Sequence, residues 1–267
     1  MALPLPIRAN LLHILGLLRA AHGILAVPTG AGKALEAWIL MKLAETASLL
    51  PGWTVTLRRG DGTQLPAGSL FAFPAKGSGI RRNNVRAPGY VLLEYVGPGY
   101  QYRFELRGSL QWQGRSGALH ECDISMLPAQ IGAAIRNNGG GHPHGLPIVM
   151  LECKDKIARG TLDETRETLA RLFDLALVTR PPTGTPCRIY ETCSATSLHY
   201  GRRSSTYVSF FSKGTFGIAR ATGFQAGTAT LSRHYHIGRF NDIYHPTASI
   251  ANMQISFENT LRNAGSY

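Results

Sequence analysis

The chain has 267 residues, 44% of them apolar, and a formal net charge of +12, so it can bury a full core and disorder is not its default state. Its pI near 9.9 is carried mainly by arginine, because the lysines are confined to Lys33, Lys42, Lys76, Lys154, Lys156 and Lys213. Guanidinium groups pair with phosphates in a fixed fork geometry, which points to a polyanionic partner without separating DNA from RNA or from an acidic membrane surface.

The N-terminal run LPIRANLLHILGLLRAAHGIL has apolar residues at helical spacing, and Arg8, Asn10, His13, Arg19 and His22 interrupt it. It predicts an amphipathic helix on the core and no membrane span. A cleavable signal peptide is disfavoured, because basic residues lie inside the apolar region. Next comes VPTGAGKALEAW, whose first half looks like a nucleotide-binding loop. Such a loop needs Gly, four residues, then Gly-Lys-Ser/Thr; here Val27 takes the first Gly position and Ala34 the hydroxyl position. From Lys33 to about Leu50 the pattern predicts a helix stopped by Pro51-Gly52.

WTVTLRR predicts a strand, and residues 60–88, rich in Gly, Arg, Asn and Pro, predict loops or irregular hairpins. GYVLLEYV, GYQYRFELRGSLQWQ and ALHECDISML follow as strands, then PAQIGAAIRN as a short helix and NNGGGHPHGLP as a loop. IVMLECKDK is a near-continuous apolar run ending in charges, as expected of a strand buried on both faces. TLDETRETLARLFDLALVT predicts a helix capped by Thr161 with Glu164 three residues on, its buried side formed by Leu169, Leu172, Phe173 and residues 175–177. RPPTGTP predicts a turn and CRIYETCSA a strand. The cysteines Cys122, Cys153, Cys187 and Cys193 form no C-x-x-C pair, which suggests a reduced, cytoplasmic protein.

Alternation along a strand puts Glu121 and Asp123 on one face, and Glu152 and Lys154 on one face, with Cys122 and Cys153 pointing into the core beneath them. Were these strands neighbours, two carboxylates and an ammonium would converge. Acids at the end of an apolar strand call for partners, since an unpaired buried ion costs several kcal/mol. Mg²⁺ is a natural one, binding through one or two carboxylates, waters and substrate phosphates, with Mn²⁺ as a substitute.

An acid on a strand, a gap, and then E-x-K at the end of an apolar strand followed by a helix resembles the PD-(D/E)xK nuclease superfamily. The resemblance covers residues 32–195. It implies an α/β, restriction-endonuclease-like core with a central mixed sheet flanked by helices, in the order helix, three antiparallel strands, helix, strand. By this resemblance Asp123 is the first motif acid, although Cys122 stands where the family has Pro. Glu152-Cys153-Lys154 is E-x-K in full. Gly32-Lys33-Ala34-Leu35-Glu36 followed by Gly52-Trp53-Thr54-Val55 fits the family's first helix and strand, making Glu36 the third acid and Glu45 its rival. The long intervals from Glu36 to Asp123 and from Asp123 to Glu152 depart from the compact family pattern.

The division expected is an N-terminal helix and turn (1–31), the nuclease-like core (32–195) with an insertion at about 60–115, and a basic C-terminal extension packed on it (196–267). The expected activity is Mg²⁺-dependent phosphodiester hydrolysis, on DNA ahead of RNA, in the manner of restriction, phage-defence or DNA-processing proteins. Metal ligands would be Asp123, Glu152 and Glu36, with Lys154 positioning the water and arginines from Arg81 to Arg86 holding the backbone. Two alternatives stand: a non-catalytic nucleic-acid- or partner-binding module on the same fold, and a P-loop-like nucleotide-binding protein. A homodimer or a partner protein is compatible with either catalytic or binding roles.

Several residues have plainer roles available. Glu121 is expected to pair with an arginine rather than serve as a fourth acid. His120 reads as a strand-end histidine, and His142 and His144 as part of a mobile substrate-contacting loop rather than metal ligands. RHYHIGRF, Arg233 to Phe240, is either a nucleic-acid groove or an ordinary strand with exposed basics.

Overall fold

The computed structural model describes residues 3–30, 32–82, 84–98, 100–179, 188–195, 198–206, 214–245 and 248–263; for residues 100 and 177–206 only the backbone is described. The predicted turn RPPTGTP and Cys187 lie outside the described residues. In chain order the elements are α1 (Leu5–Leu17), a 3-10 turn (Ile24–Ala26), α2 (Lys33–Ser48), β1 (Trp53–Arg58), β2 (Ile80–Arg81), β3 (Tyr90–Gly97), β4 (Tyr100–Gln113), β5 (Leu119–Pro128) and α3 (Ala129–Asn137). There follow β6 (Gly140–Gly141), β7 (His144–Gly145), β8 (Val149–Lys154), α4 (Leu162–Leu175), β9 (Leu177–Thr179), β10 (Arg188–Ala195), β11 (Leu198–Thr206), β12 (Thr215–Arg220), α5 (Thr228–His234), β13 (Gly238–Phe240) and α6 (Ala248–Arg262).

The protein is α/β with a mixed central sheet. Strands β1, β3, β4, β5 and β8 pair antiparallel in that order, and β12 and then β13 continue the sheet parallel to β8. Strand β7 joins the far end of β4 to β10, which carries β9 and β11. The expected C-terminal extension therefore contributes three strands, β11, β12 and β13, to the same sheet as the central strands.

Both faces are covered. Helix α2 is apolar on nearly every side, as a helix buried all round must be, and packs with α1 and α6 over Val91, Leu93, Leu106, Ile124, Met126 and Leu151. Trp38 Nε1 donates to Asn10 Oδ1 at 3.0 Å, and Gln254 Nε2 to Thr46 Oγ1 at 2.8 Å, which ties α2 to both neighbours. On the other face α3 and α4 pack over Trp112, Cys122, Leu127 and Met150.

Helix α4 begins as its sequence predicts, with the Thr161 hydroxyl accepting from the Glu164 N–H at 3.3 Å. It ends earlier than expected. Ala176 is extended, and Leu177–Thr179 pair with β10 instead of continuing the helix, because a ladder to a neighbouring strand outweighs local helical pattern for a β-branched end. Arg233 to Phe240 is also no single strand. It is the end of α5, a turn through His236 at φ 54°, and β13.

Candidate active site

The pleat of β4 and β5 is broken at one level. Phe104 and Leu106 on β4, and Ile124 and Met126 on β5, face α2. Strict alternation would put Leu110, Trp112 and Cys122 on that same face, yet all three pack on the opposite side. The turnover falls at Ser109 and Asp123, the facing pair missing from an otherwise continuous ladder from Phe104↔Pro128 to Gln113↔Leu119. Ser109 has φ 46°, a left-handed backbone that serine rarely adopts. Beyond it, Ser109 and Glu121 point toward α2.

They meet Lys33 there. Its Nζ donates to Glu36 Oε2 at 2.8 Å, Ser109 Oγ at 2.8 Å and Glu121 Oε1 at 3.2 Å, so its three donors are all used. Ser109 Oγ in turn bonds Glu36 Oε2 at 2.8 Å. Gly32, in the left-handed region at φ 77°, lets the chain turn into α2 just before this lysine. Burial raises the Glu36 carboxyl above its ordinary range, while Lys33 and Ser109 pull it back down.

The β5–β8 ladder runs only from Met126↔Val149 to Ile124↔Leu151. One step further, Asp123 Oδ2 accepts the backbone N–H of Cys153 at 2.7 Å in place of a ladder bond. Asp123 thus sits where the two strands part. Burial pushes its carboxyl up to about 7, helped by the negative charges of Glu152 and Glu36.

Glu152 lies on the α4 side, 2% exposed. Its Oε2 takes Lys154 Nζ at 3.0 Å and Arg171 Nη1 at 2.8 Å, whereas Oε1 is buried with no hydrogen-bond partner among the described residues. Among the described residues, no three His, Cys, Asp or Glu side chains are grouped as they stand to hold one ion. The acids are instead divided: Glu36 beside Lys33, Glu152 beside Lys154 and Arg171, and Asp123 with no cation bonded to it among the described residues. Such a site can offer a metal two carboxylates, Asp123 and Glu152, and can hold a phosphate against Lys154 and Arg171.

The structure brings Glu36, Asp123, Glu152 and Lys154 into one charged neighbourhood, while Glu45 pairs with Lys42 at 2.6 Å. Three expectations are corrected. Glu121 pairs with Lys33 rather than an arginine. Cys122 and Cys153 lie on opposite faces of the sheet rather than together beneath the acids, because the pleat turns over between Asp123 and Ile124. The loop expected over NNGGGHPHGLP carries two short strands, β6 and β7, with His142 Nδ1 3.3 Å from the Gln111 carbonyl and His144 in β7.

Sequence reasoning missed Lys33, Ser109 and Arg171. Lys33 was detectable as an i, i+3 partner of Glu36, and Gly108 inside a strand is the usual mark of a local distortion. Arg171 had no local signal, since its partner lies on another element. No family model matches the chain, and the searches of curated proteins and of solved structures yield no match. Among the described residues, no helix is long and apolar enough to cross a membrane.

Proposed function

We propose that the protein is a divalent-metal-dependent nuclease acting on DNA, built on a restriction-endonuclease-like core. The observation that carries the reading is Glu152 Oε1, buried without a hydrogen-bond partner among the described residues. A buried carboxylate oxygen with nothing to accept from is costly, and a cation between Glu152 and Asp123 relieves both acids at once. Mg²⁺ suits the donors, because it takes hard oxygens from one or two carboxylates and keeps waters and phosphate oxygens as its other ligands; Mn²⁺ substitutes for it.

Asp123 and Glu152 would hold the ion, and Glu36 would join its shell directly or by accepting from a bound water. When bound, the metal polarises the phosphate and lowers the pKa of an attacking water. Lys154, one-quarter exposed beside Glu152, orients that water and offsets charge on the phosphate. The element order supports the same reading with two departures: α2 is followed by β4, β5 and β8 antiparallel, by α4, and by β12 parallel to β8, but β1, the expected first strand, lies outside these on β3, and α3 intervenes between β5 and β8. Exposed Arg81, Arg82 and Arg86 suit a polyanionic strand.

The test is cleavage of plasmid and linear DNA with Mg²⁺ or Mn²⁺. Glu152→Ala and Lys154→Ala should each lower the rate at least about 100-fold; unchanged rates in both sink the reading. A second reading, a nucleic-acid-binding module that does not cut, is favoured by the neutralisation of Glu152 Oε2 by two cations and by the lack of a three-acid group among the described residues. Calorimetry separates them: the module shows no Mg²⁺ heat that depends on Asp123. The nucleotide-loop reading finds no support in the geometry, since Lys33 Nζ is already spent on Glu36, Ser109 and Glu121.

A further inference from the structure

Arg171 projects from α4, two turns beyond Glu164, and rests against the most buried acid of the site. Its Nη1 is 2.8 Å from Glu152 Oε2 and 3.5 Å from the Glu121 carbonyl oxygen. That carboxylate oxygen is already shared with Lys154 at 3.0 Å. Nε and Nη2 of Arg171 have no partner among the described residues, although guanidinium is a rigid fork built to make paired bonds. A purely structural arginine at a buried glutamate would be expected to use that fork on both oxygens. Here one oxygen takes two cations, the other takes none among the described residues, and the arginine side chain remains 32% exposed.

We propose that Arg171 is the phosphate-binding residue of this site, parked on Glu152 until a divalent cation claims the carboxylate. The proposal rests on the nuclease reading above. With a metal ion on Glu152, two local cations exceed what one carboxylate can neutralise. Lys154 is fixed two residues away on the same strand, whereas Arg171 arrives on a long side chain from another element. Arg171 is therefore the group free to turn, and its unengaged Nε–H and Nη2–H donors match two non-bridging phosphate oxygens. The resting contact has a second effect: Arg171 competes with the metal for Glu152, so metal binding and exposure of the phosphate-binding fork are coupled.

This coupling has a sign that a structural salt bridge lacks. Arg171→Ala should bind Mn²⁺ as tightly as the parent or several-fold more tightly by calorimetry, because a competing cation is gone. The same variant should bind an oligonucleotide more weakly in Ca²⁺, and cut it about 100-fold more slowly with Mn²⁺. Arg171→Lys should recover part of the binding and rate, and guards against a folding defect in the alanine variant, as does comparison of melting temperatures. Weaker Mn²⁺ binding in both variants, or full cleavage by Arg171→Ala, overturns the assignment while leaving the nuclease reading standing. A wild-type protein that binds no Mn²⁺ and cuts nothing overturns both.

Discussion

The Asp123 carboxylate accepts the backbone N–H of Cys153 at 2.7 Å, at the step where the β5–β8 ladder would otherwise continue. A side chain has replaced a main-chain bond, and the strands part there. Glu152 and Lys154, ion-paired at 3.0 Å, flank the residue of β8 whose N–H Asp123 takes.

The pH dependence of Asp123 follows from its surroundings. Its ordinary value is 3.8, and burial with the charges of Glu152 and Glu36 pushes it up to about 7. Between these values the native protein holds a proton that the unfolded chain has lost, so stability falls as pH rises through that window and the whole penalty is present above about pH 7. Asp123→Asn removes the penalty. It should be more resistant to urea than the parent at pH 8, by a few kcal/mol at most, and indistinguishable from it near pH 4. Mn²⁺ affinity of the parent should climb with pH and level off above about 7, as the ion displaces the proton. A parent whose Mn²⁺ affinity is flat from pH 5 to 8 contradicts this account.

Lys33 is the second test. It bonds Glu36, Ser109 and Glu121, and with them holds the backbone turnover at Ser109. Lys33→Met keeps the stem and removes the charge. Glu36 then loses the cation that pulls its carboxyl down, so the variant should be less stable by about 1–3 kcal/mol. The loss should be larger at pH 8 than at pH 5, because Glu36 must ionise without a partner. Equal urea midpoints for the two proteins at pH 8 would remove Lys33 from this role.

Much of the scaffold is legible in the residues themselves. The Pro51-Gly52 stop marks the end of α2, the 3.6-residue pattern marks α4, Thr161 marks the start of α4, and the apolar run before Glu152 marks β8 as a central strand. The site is less legible, for a definite reason. Periodicity assumes that a strand alternates throughout, and β4 and β5 turn over together at Ser109 and Asp123, so every face assigned by counting beyond that point is reversed. Glu121 and Cys122 were misplaced by this alone. The cause is tertiary: three donors on Lys33 and one carboxylate on Glu36 hold a conformation that no local stretch prefers. Leu177 was misplaced for a related reason, since its strand exists only beside β10.

The two buried cysteines report on that turnover directly. Cys122 is fully buried on the α4 side and Cys153 6% exposed on the α2 side. Burial, and then nearby carboxylates, push both thiols well up, and only the thiolate reacts with disulfide reagents. Peptide mapping after treatment with an aromatic disulfide should find both unmodified in native protein and modified in urea. Oxidation should join neither to the other, because the sheet lies between their side chains. Labelling of Cys122 in the folded protein at neutral pH would argue that β5 alternates without interruption.

A separate charged network tests whether stability and site chemistry can be divided. Glu105 is fully buried on β4, where Arg107 Nε donates to it at 2.7 Å and Arg136 Nη2 at 2.6 Å. The Arg107 guanidinium stacks 4.2 Å from the Tyr90 ring centre and that of Arg136 5.0 Å, so one carboxylate and one aromatic ring face two buried cations, with Arg107 Nη2 left without a hydrogen-bond partner among the described residues. Gly132 is required beside them, since a Cβ there would stand 2.3 Å from Glu105 Oε2. Glu105→Gln leaves both buried arginines without their counter-ion. It should cost about 3–5 kcal/mol, lowering the urea midpoint markedly. Because the network bonds neither Asp123 nor Glu152, Mn²⁺ affinity measured on the folded fraction should stay within about twofold, a shift under 0.5 kcal/mol. A variant as stable as the parent would remove Glu105 from the scaffold role, and one that keeps its stability but loses Mn²⁺ binding would place it in the site.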